Sequence, residues 1–268
     1  MTALADQLRG ATVYDLEQPR YHGMPIYPTH KPGYFYALYR RHRDSYKPEQ
    51  HGPRTSAAGV LTMMEHAGTH IDALCHQSCG MKLYGDVPAE TVETPAGFTQ
   101  LGVETVPPLL GRGVLLDVAG WKGVGRLPDK YSVTGDDLRA CAAKQGVEPR
   151  AGDVLLVRTG FATLWHDEEA YLRAAGVAKS GTLWAAERGV IAVGADNMSW
   201  DVPDERDPET GATLFGHVYL LPQKGIYIIE NVNLERLAAD RRWTFAFIGI
   251  PLKLNGATGS PFRPLALV

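Results

Sequence analysis

Residues 66–76 read His66-Ala67-Gly68-Thr69-His70-Ile71-Asp72-Ala73-Leu74-Cys75-His76. Four candidate metal ligands, His66, His70, Asp72 and His76, fall at even offsets. An extended strand sends alternate side chains to one face, so this spacing predicts a strand with all four ligands pointing the same way. A helix fits worse, because at 3.6 residues per turn Asp72 would point roughly 200° away from His70. The β-branched Thr69 and Ile71 also favour the extended form. Gly68, with no side chain, is expected to leave room beside the backbone for a metal, a water or a substrate. The competing reading is a chance grouping of ordinary surface or core histidines. Against it, the chain has nine His and three stand in this one window. Imidazole and carboxylate together suit zinc, manganese or iron(II) rather than calcium. The window does not match the zinc-protease motif, since no Glu follows the first His.

The rest of the chain limits what such a site can belong to. Its 268 residues suit one large domain or two small ones, and 44% hydrophobic composition supports a sizeable core without disulfides. A net charge of −3 gives no sign of a nucleic-acid or membrane surface. Three cysteines, Cys75, Cys79 and Cys141, make an odd, sparse set that fits a reducing cytoplasm better than a disulfide framework. Met1 to Gly10 has no apolar run of signal-peptide type, and no segment approaches the roughly 20 apolar residues that span a bilayer.

Along the chain, Val13–Leu16, Ala57–Met64, Gly113–Val118, Asp153–Thr159, Val190–Gly194, Gly225–Glu230 and part of Trp243–Leu254 read as strands. Thr134-Gly135-Asp136-Asp137 opens a helix with Gly146 as its stop, and Ser180–Arg188 reads as a second, capped by Ser180 or Thr182. Met24-Pro25-Ile26-Tyr27-Pro28 is a stiff extended segment. Gly33–Arg54 is rich in aromatics and cations and reads as a solvated strand or loop; the sharper alternative is a mobile flap with an Arg for a substrate carboxylate. No linker is evident, so the pattern points to a single α/β domain over 1–268 with a mixed sheet.

A working metal centre needs ligands from outside the window. His217 stands on an apolar segment, and Glu230 ends the apolar run Ile226-Tyr227-Ile228-Ile229. A carboxylate there is either buried with a partner or a solvated strand end, and both readings stay open. Asp196 and Asp201 are rivals, each expected rather to cap a turn. Thr69 and Ser199 are candidates to orient ligands and Trp200 to wall a pocket, with plain packing the alternative for each.

The pattern His66-x-Gly68-Thr69-His70-x-Asp72-(x)3-His76 resembles the signature of the metal-dependent cyclase family, whose members include bacterial kynurenine formamidase and isatin hydrolase. Weaker blocks follow in the family's order: Pro25-Ile26-Tyr27-Pro28, Asp153–Gly160, Gly194–Ser199, His217 with Leu220-Leu221, Glu230-Asn231, and Pro251–Pro261. The resemblance implies a swivelling β/β/α fold, usually oligomeric, here a homodimer or homotetramer. It implies one ion on His66, His70 and Asp72 and a second on Asp72, His217 and Glu230, with His76 as acid/base and the Tyr27 position in contact with substrate. Two departures stand out: Tyr27 replaces a Trp, and Leu74 replaces a Pro. The isatin-hydrolase branch uses manganese and lacks the shared Glu, so Glu230 pulls toward the two-metal pattern while chain length and ending pull toward that branch. The implied activity is hydrolysis of a carbonyl C–N bond in an aryl formamide or a cyclic amide or imide. Water ionised on one or two zinc or manganese ions attacks, and His76 protonates the leaving nitrogen. Cyclase or lactone-opening activity shares the same tetrahedral intermediate and is the first rival. A lyase or dehydratase and a non-catalytic binding protein are the more distant ones.

Overall fold

The computed structural model describes residues 3–268; Met1 and Thr2 of the expected 1–268 unit lie outside the described residues. Eleven strands matter here: β1 (Val13–Asp15), β2 (Tyr34–Arg40), β3 (Ala58–Met63), β4 (His70–Asp72), β5 (Leu109–Asp117), β6 (Val154–Arg158), β7 (Ala192–Ala195), β8 (Tyr227–Glu230), β9 (Thr244–Gly249), β10 (Gly259–Pro261) and β11 (Leu265–Leu267). Nine of them form one sheet in the order β1-β11-β9-β5-β6-β7-β8-β4-β10. The central four, β5 to β8, are parallel, and every other pairing is antiparallel. The protein is therefore α/β with a mixed central sheet, as its sequence pattern predicts.

Parallel strands buried on both faces read as continuous apolar runs, and β6, Val-Leu-Leu-Val-Arg, is buried along its whole length. Its alternate residues serve two cores. Leu155 and Val157 pack with Val114, Leu116, Val193 and Ile228 on one face, under the helices carrying Leu138 and Trp184. Val154 and Leu156 pack on the other with Leu115, Ile229, Phe245 and Phe247.

The helix Gly135–Gln145 forms as expected. Thr134 and Asp137 make a reciprocal capping box, and Gly146 ends the helix in the left-handed conformation at φ 68°. The helix Lys179–Glu187 forms too, but neither Ser180 nor Thr182 caps it. Ser180 Oγ instead accepts from Gly135 N at 3.2 Å, and Thr182 Oγ1 from the Trp200 indole at 3.1 Å. Both hydroxyls are spent on neighbouring elements, so the helix starts without a side-chain cap.

Residues 66–76 are not one continuous strand. Only His70–Asp72 is extended; Ala67 N bonds to Met64 O in a turn, and His76 N bonds to Ala73 O in another. Gly68 sits at φ 71°, a conformation that breaks strand alternation and favours glycine. Nor does Gly68 open space for a ligand, because the Arg20 side chain covers it, with Nε 3.1 Å from where a Cβ would stand. The segment 33–54 contributes β2, which pairs with β3 as a two-stranded ribbon, followed by short helical turns at His42–Ser45 and Pro48–His51.

Candidate metal centre

Strand pairing brings the candidate ligands together. β4 lies antiparallel to β8 with His70 directly opposite Glu230 and Ile71 opposite Ile229. His70 and Glu230 thus share a face, and Asp72, two residues on from His70, joins them. On its other edge β4 pairs with β10, where Asp72 faces Gly259. A Cβ on Gly259 would stand 2.5 Å from His66 Cε1, so this glycine makes the room that the His66 ring occupies. His217 arrives from the short helix Phe215–Tyr219, just before a π-turn over Leu220–Lys224. The centre sits at the carboxyl ends of β7 and β8, where open α/β sheets generally place their sites.

All five side chains are buried, none more than 5% exposed. His70 Nε2 lies 3.2 Å from Glu230 Oε2 and 3.5 Å from Asp72 Oδ1. His217 Nε2 lies 3.1 Å from Glu230 Oε1 and 3.5 Å from Asp72 Oδ2. His66 Nδ1 lies 2.9 Å from Asp72 Oδ1. Among the described residues, His70 Nε2, Asp72 Oδ2 and Glu230 Oε1 are buried without a hydrogen bond of acceptable geometry. Buried polar atoms are normally paired, so three orphans converging on one another fit a cation-binding site. Two groups hold donor atoms within 4.8 Å of one another: His66, Asp72 and His76, and His70, Asp72 and Glu230. Asp72 belongs to both. The family resemblance joins His66 to His70, whereas this geometry joins His70 to Glu230 across the strand pair and His66 to His76, whose ring centroids are 4.0 Å apart.

The far nitrogens of the imidazoles are fixed. His70 Nδ1 meets Gly68 O at 2.8 Å, and His217 Nδ1 meets Asp201 Oδ2 at 2.8 Å. With Nδ1–H donating in each, Nε2 is the nitrogen turned toward the carboxylates, the one that would be given up to a metal on loss of its proton. His66 runs the other way: Nε2 meets Thr258 Oγ1 at 2.8 Å, and that hydroxyl donates to Glu65. Gly68 O also accepts from Asn231 Nδ2 at 2.9 Å, and Tyr171 donates to Asn231 Oδ1 at 2.9 Å.

Electrostatics follow from burial set against neighbouring charge. Burial works against the charged form of Asp72, yet the imidazoles of His76, His217 and His66 hold its carboxyl well below the usual range. Burial likewise opposes the charged form of Glu230, and the facing imidazoles of His217 and His70 outweigh it, holding the carboxyl below its ordinary value. Burial disfavours the His217 imidazolium, but Asp201, Asp72 and Glu230 raise it well above its ordinary value. His76 goes the opposite way: burial pushes it well below, with Asp72 opposing and His66 and His217 adding repulsion.

A cavity of about 290 Å3 opens on the centre, lined among others by Tyr27, His30, His76, Ser199, His217 and Glu230. Tyr27 is thus at the cavity, and Trp200 is not. The Trp200 side chain is fully buried, its indole N–H bonds to Thr182, and its ring packs so close to Gly216 that a Cβ there would stand 2.5 Å from Trp200 Cδ1. It supports the His217 helix from behind. Thr69 is a backbone clamp, with Oγ1 donating to Asn231 O at 2.7 Å and accepting from Gln18 N at 2.8 Å. Asp196 caps a turn as expected, accepting from Thr159 N and Gly160 N, both at 2.7 Å. Asp201 caps Gly216 N but also orients His217, a role its sequence context does not suggest. Sequence reasoning also missed His30, Thr258 and Glu65. For His30 a signal exists: it stands three residues after Tyr27 in a proline-stiffened turn, and i, i+3 side chains eclipse in a 3-10 helix.

Fold and site together define an α/β protein with a buried His/Asp/Glu centre able to hold a divalent metal. The chain belongs to the cyclase family: a family model described as putative cyclase matches residues 14–202. A kynurenine formamidase of Bacillus cereus is 30% identical over 208 residues, covering 76% of this chain and 77% of that one. A crystal structure described as a novel cyclase superposes with a TM-score of 0.85 at 30% identity, covering 99% of this chain and 90% of the other. Isatin hydrolase A from Ralstonia solanacearum shares the fold, with a TM-score of 0.73 at 22% identity over 99% of this chain and 96% of its own.

Proposed function

We propose that this protein is a metal-dependent hydrolase of a carbonyl C–N bond in an aryl formamide or a cyclic amide. The observation that carries the reading is the convergence of His70 Nε2, Asp72 Oδ2 and Glu230 Oε1, buried and unpaired, beside a cavity that also holds His76. Similarity to kynurenine formamidases and to isatin hydrolases supports the bond class.

His66, His70, Asp72, His217 and Glu230 would hold one or two ions of zinc or manganese, with Asp72 shared. When bound, such an ion polarises a carbonyl and lowers the pKa of water toward about 7. Asp72 and Glu230 supply the negative charge that offsets the cation. Asp201 and Gly68 O hold His217 and His70 in the ligating tautomer. His76, kept neutral by burial, accepts a proton from water and returns it to the leaving nitrogen. Tyr27 offers an aromatic face to the substrate from the cavity rim.

We read the 1–268 chain as one domain, because a single sheet draws strands from Val13 to Leu267. Its partners are a small-molecule substrate and further copies of itself, as a homodimer or homotetramer. Among the described residues no helix is long and apolar enough to cross a membrane. All three cysteines are free thiols, which supports a cytoplasmic setting.

The test is turnover by metal-loaded protein on a panel of aryl formamides, cyclic imides and lactones, with and without chelator. Chelator-sensitive cleavage of an amide is expected, and His76→Ala should keep its metal while losing most of that turnover. A fully metallated protein that cleaves none of the amides, or a fully active His76→Ala variant, would sink the reading.

A further inference from the structure

The carbonyl that orients His70 belongs to the softest peptide of the ligand window. Gly68 O accepts from His70 Nδ1 at 2.8 Å. Gly68 lies in a turn at φ 71°, and a residue without a Cβ leaves its backbone torsions the most freedom. Strand register places His70 opposite Glu230, but it does not stop the imidazole from turning about its own side-chain torsion. The ring is therefore only as firmly aimed as the Gly68–Thr69 peptide is held.

Asn231 holds that peptide from both ends. Its Nδ2 donates to Gly68 O at 2.9 Å, and its backbone oxygen accepts from Thr69 Oγ1 at 2.7 Å. Asn231 is itself fixed. Its N donates to Asn197 O at 2.7 Å, Val232 N donates to Ala195 O at 3.0 Å, and Tyr171 Oη donates to Asn231 Oδ1 at 2.9 Å. Gly68 O can only accept, so the amide nitrogen of Asn231 is the atom that faces it. The side chain is buried, and all four of its polar atoms, backbone included, are bonded.

The residue type follows from the same contacts. Asn231 sits at φ 56°, a left-handed conformation that Gly, Asn and Asp adopt most readily. Gly has no side chain and ionised Asp has no donor. Of the three, only Asn both donates to Gly68 O and accepts from Tyr171. Its position directly after Glu230 means that one residue anchors the end of the strand carrying one candidate ligand and the carbonyl that aims another.

We propose that Asn231 is a positioning residue of the metal centre, holding the Gly68 carbonyl and through it aiming the His70 imidazole at the site shared with Glu230. The proposal rests on the metal-centre reading and deepens it.

Cobalt(II) is the probe, because its visible absorption reports the arrangement of its ligands. Asn231→Gly and Asn231→Asp both suit the left-handed backbone, and both remove the donor to Gly68 O. Tyr171→Phe loosens Asn231 from behind and leaves that donor in place. Both Asn231 variants should bind cobalt(II) about 10–100-fold more weakly in competition with a chromophoric chelator, with shifted visible bands. Tyr171→Phe should keep parent-like affinity and bands while unfolding at lower urea. Simple structural support gives a different pattern, in which all three variants unfold at lower urea and every cobalt(II) spectrum matches the parent. That pattern, or parent-like affinity and bands in both Asn231 variants, would overturn the proposal. If neither Asn231 variant folds, proton exchange in the metal-free parent decides. The His70 Nδ1 proton should then be protected from solvent and lie close to the Asn231 amide protons by nuclear magnetic resonance, and a freely exchanging His70 proton would overturn the role. A parent that takes up no cobalt(II) fells the metal-centre reading itself, whereas a loaded parent matched by both Asn231 variants removes only the role of Asn231.

Discussion

Replacing Asp201 with Asn changes almost no volume and removes one charge from behind His217. The carboxylate is buried, at 4% exposure, and accepts from three donors: Gly216 N, His217 N at 3.2 Å and His217 Nδ1 at 2.8 Å. Asn presents a single acceptor oxygen to these donors. If that oxygen serves His217 Nδ1, the amide NH2 confronts Gly216 N, and the cost falls on folding, about 1–3 kcal/mol for an unsatisfied buried donor. If it serves Gly216, His217 loses its orienting partner, which typically costs 10–100-fold in metal affinity. At 1.36 kcal/mol per tenfold that is about 1.4–2.7 kcal/mol, so the two arrangements lie close in energy and both effects should be visible. Competition with a chromophoric chelator gives the affinity for zinc and manganese, and urea unfolding of the chelator-treated protein gives the stability. Asp201→Asn should lose roughly 10–100-fold in metal affinity and unfold at lower urea. Affinity within twofold of the parent together with an unchanged midpoint would refute the claim that Asp201 sets the His217 tautomer.

Thr258→Val removes the hydroxyl between His66 Nε2 and Glu65 at nearly constant volume, and should weaken metal binding about tenfold in the same competition assay, with Thr258→Ser restoring it. Arg158 is buried against Asp117 Oδ1 and Glu235 Oε2, both at 2.8 Å. Arg158→Met strands the Asp117 carboxylate and should cost about 3 kcal/mol or more by urea unfolding. Burial opposes the Asp137 carboxylate, but Lys122, the Thr134 backbone N–H and Tyr131 hold it below its ordinary value. Its folded pKa is lower than its unfolded one, so its stabilisation is present above about pH 4 and is lost as pH falls through the folded value. Melting curves of Asp137→Asn should therefore lie below the parent at neutral pH and converge with it toward pH 3; a constant offset across that range would contradict the assignment.

Legibility in the sequence varied with how local the cause was. The helix Gly135–Gln145 was readable to its ends because Thr134, Asp137 and Gly146 set its boundaries within the segment itself. The apolar run of β6 was readable because burial on both faces leaves an unbroken signature. The spacing argument behind the ligand window held only in part. Alternation along one strand does hold for His70 and Asp72, but His66 and His76 reach the centre through turns, one of them at Gly68. Glu230 could be suspected from its place after an apolar run, but its register opposite His70 is a long-range pairing that no local pattern encodes. The same limit hid Asp201 behind His217 and Thr258 behind His66, separated by 16 and 192 residues. Trp200 misled for a related reason: an aromatic beside a polar turn looks like a pocket wall, and its indole N–H found Thr182 instead.

The three carboxylate-bridged residues His70, Asp72 and Glu230 stand on paired strands, whereas much of the cavity rim comes from the Pro28–His30 turn and the stretch around Thr213 and Leu214. The paired strands and the rim are thus separate elements of the chain, joined where Leu214 leads into the His217 helix. A change of residue in the rim loops can alter which molecule is accepted without disturbing the strand register that sets the ligand spacing. A designer seeking a new substrate can therefore vary the Pro28–His30 turn while leaving the His70–Glu230 pairing in place.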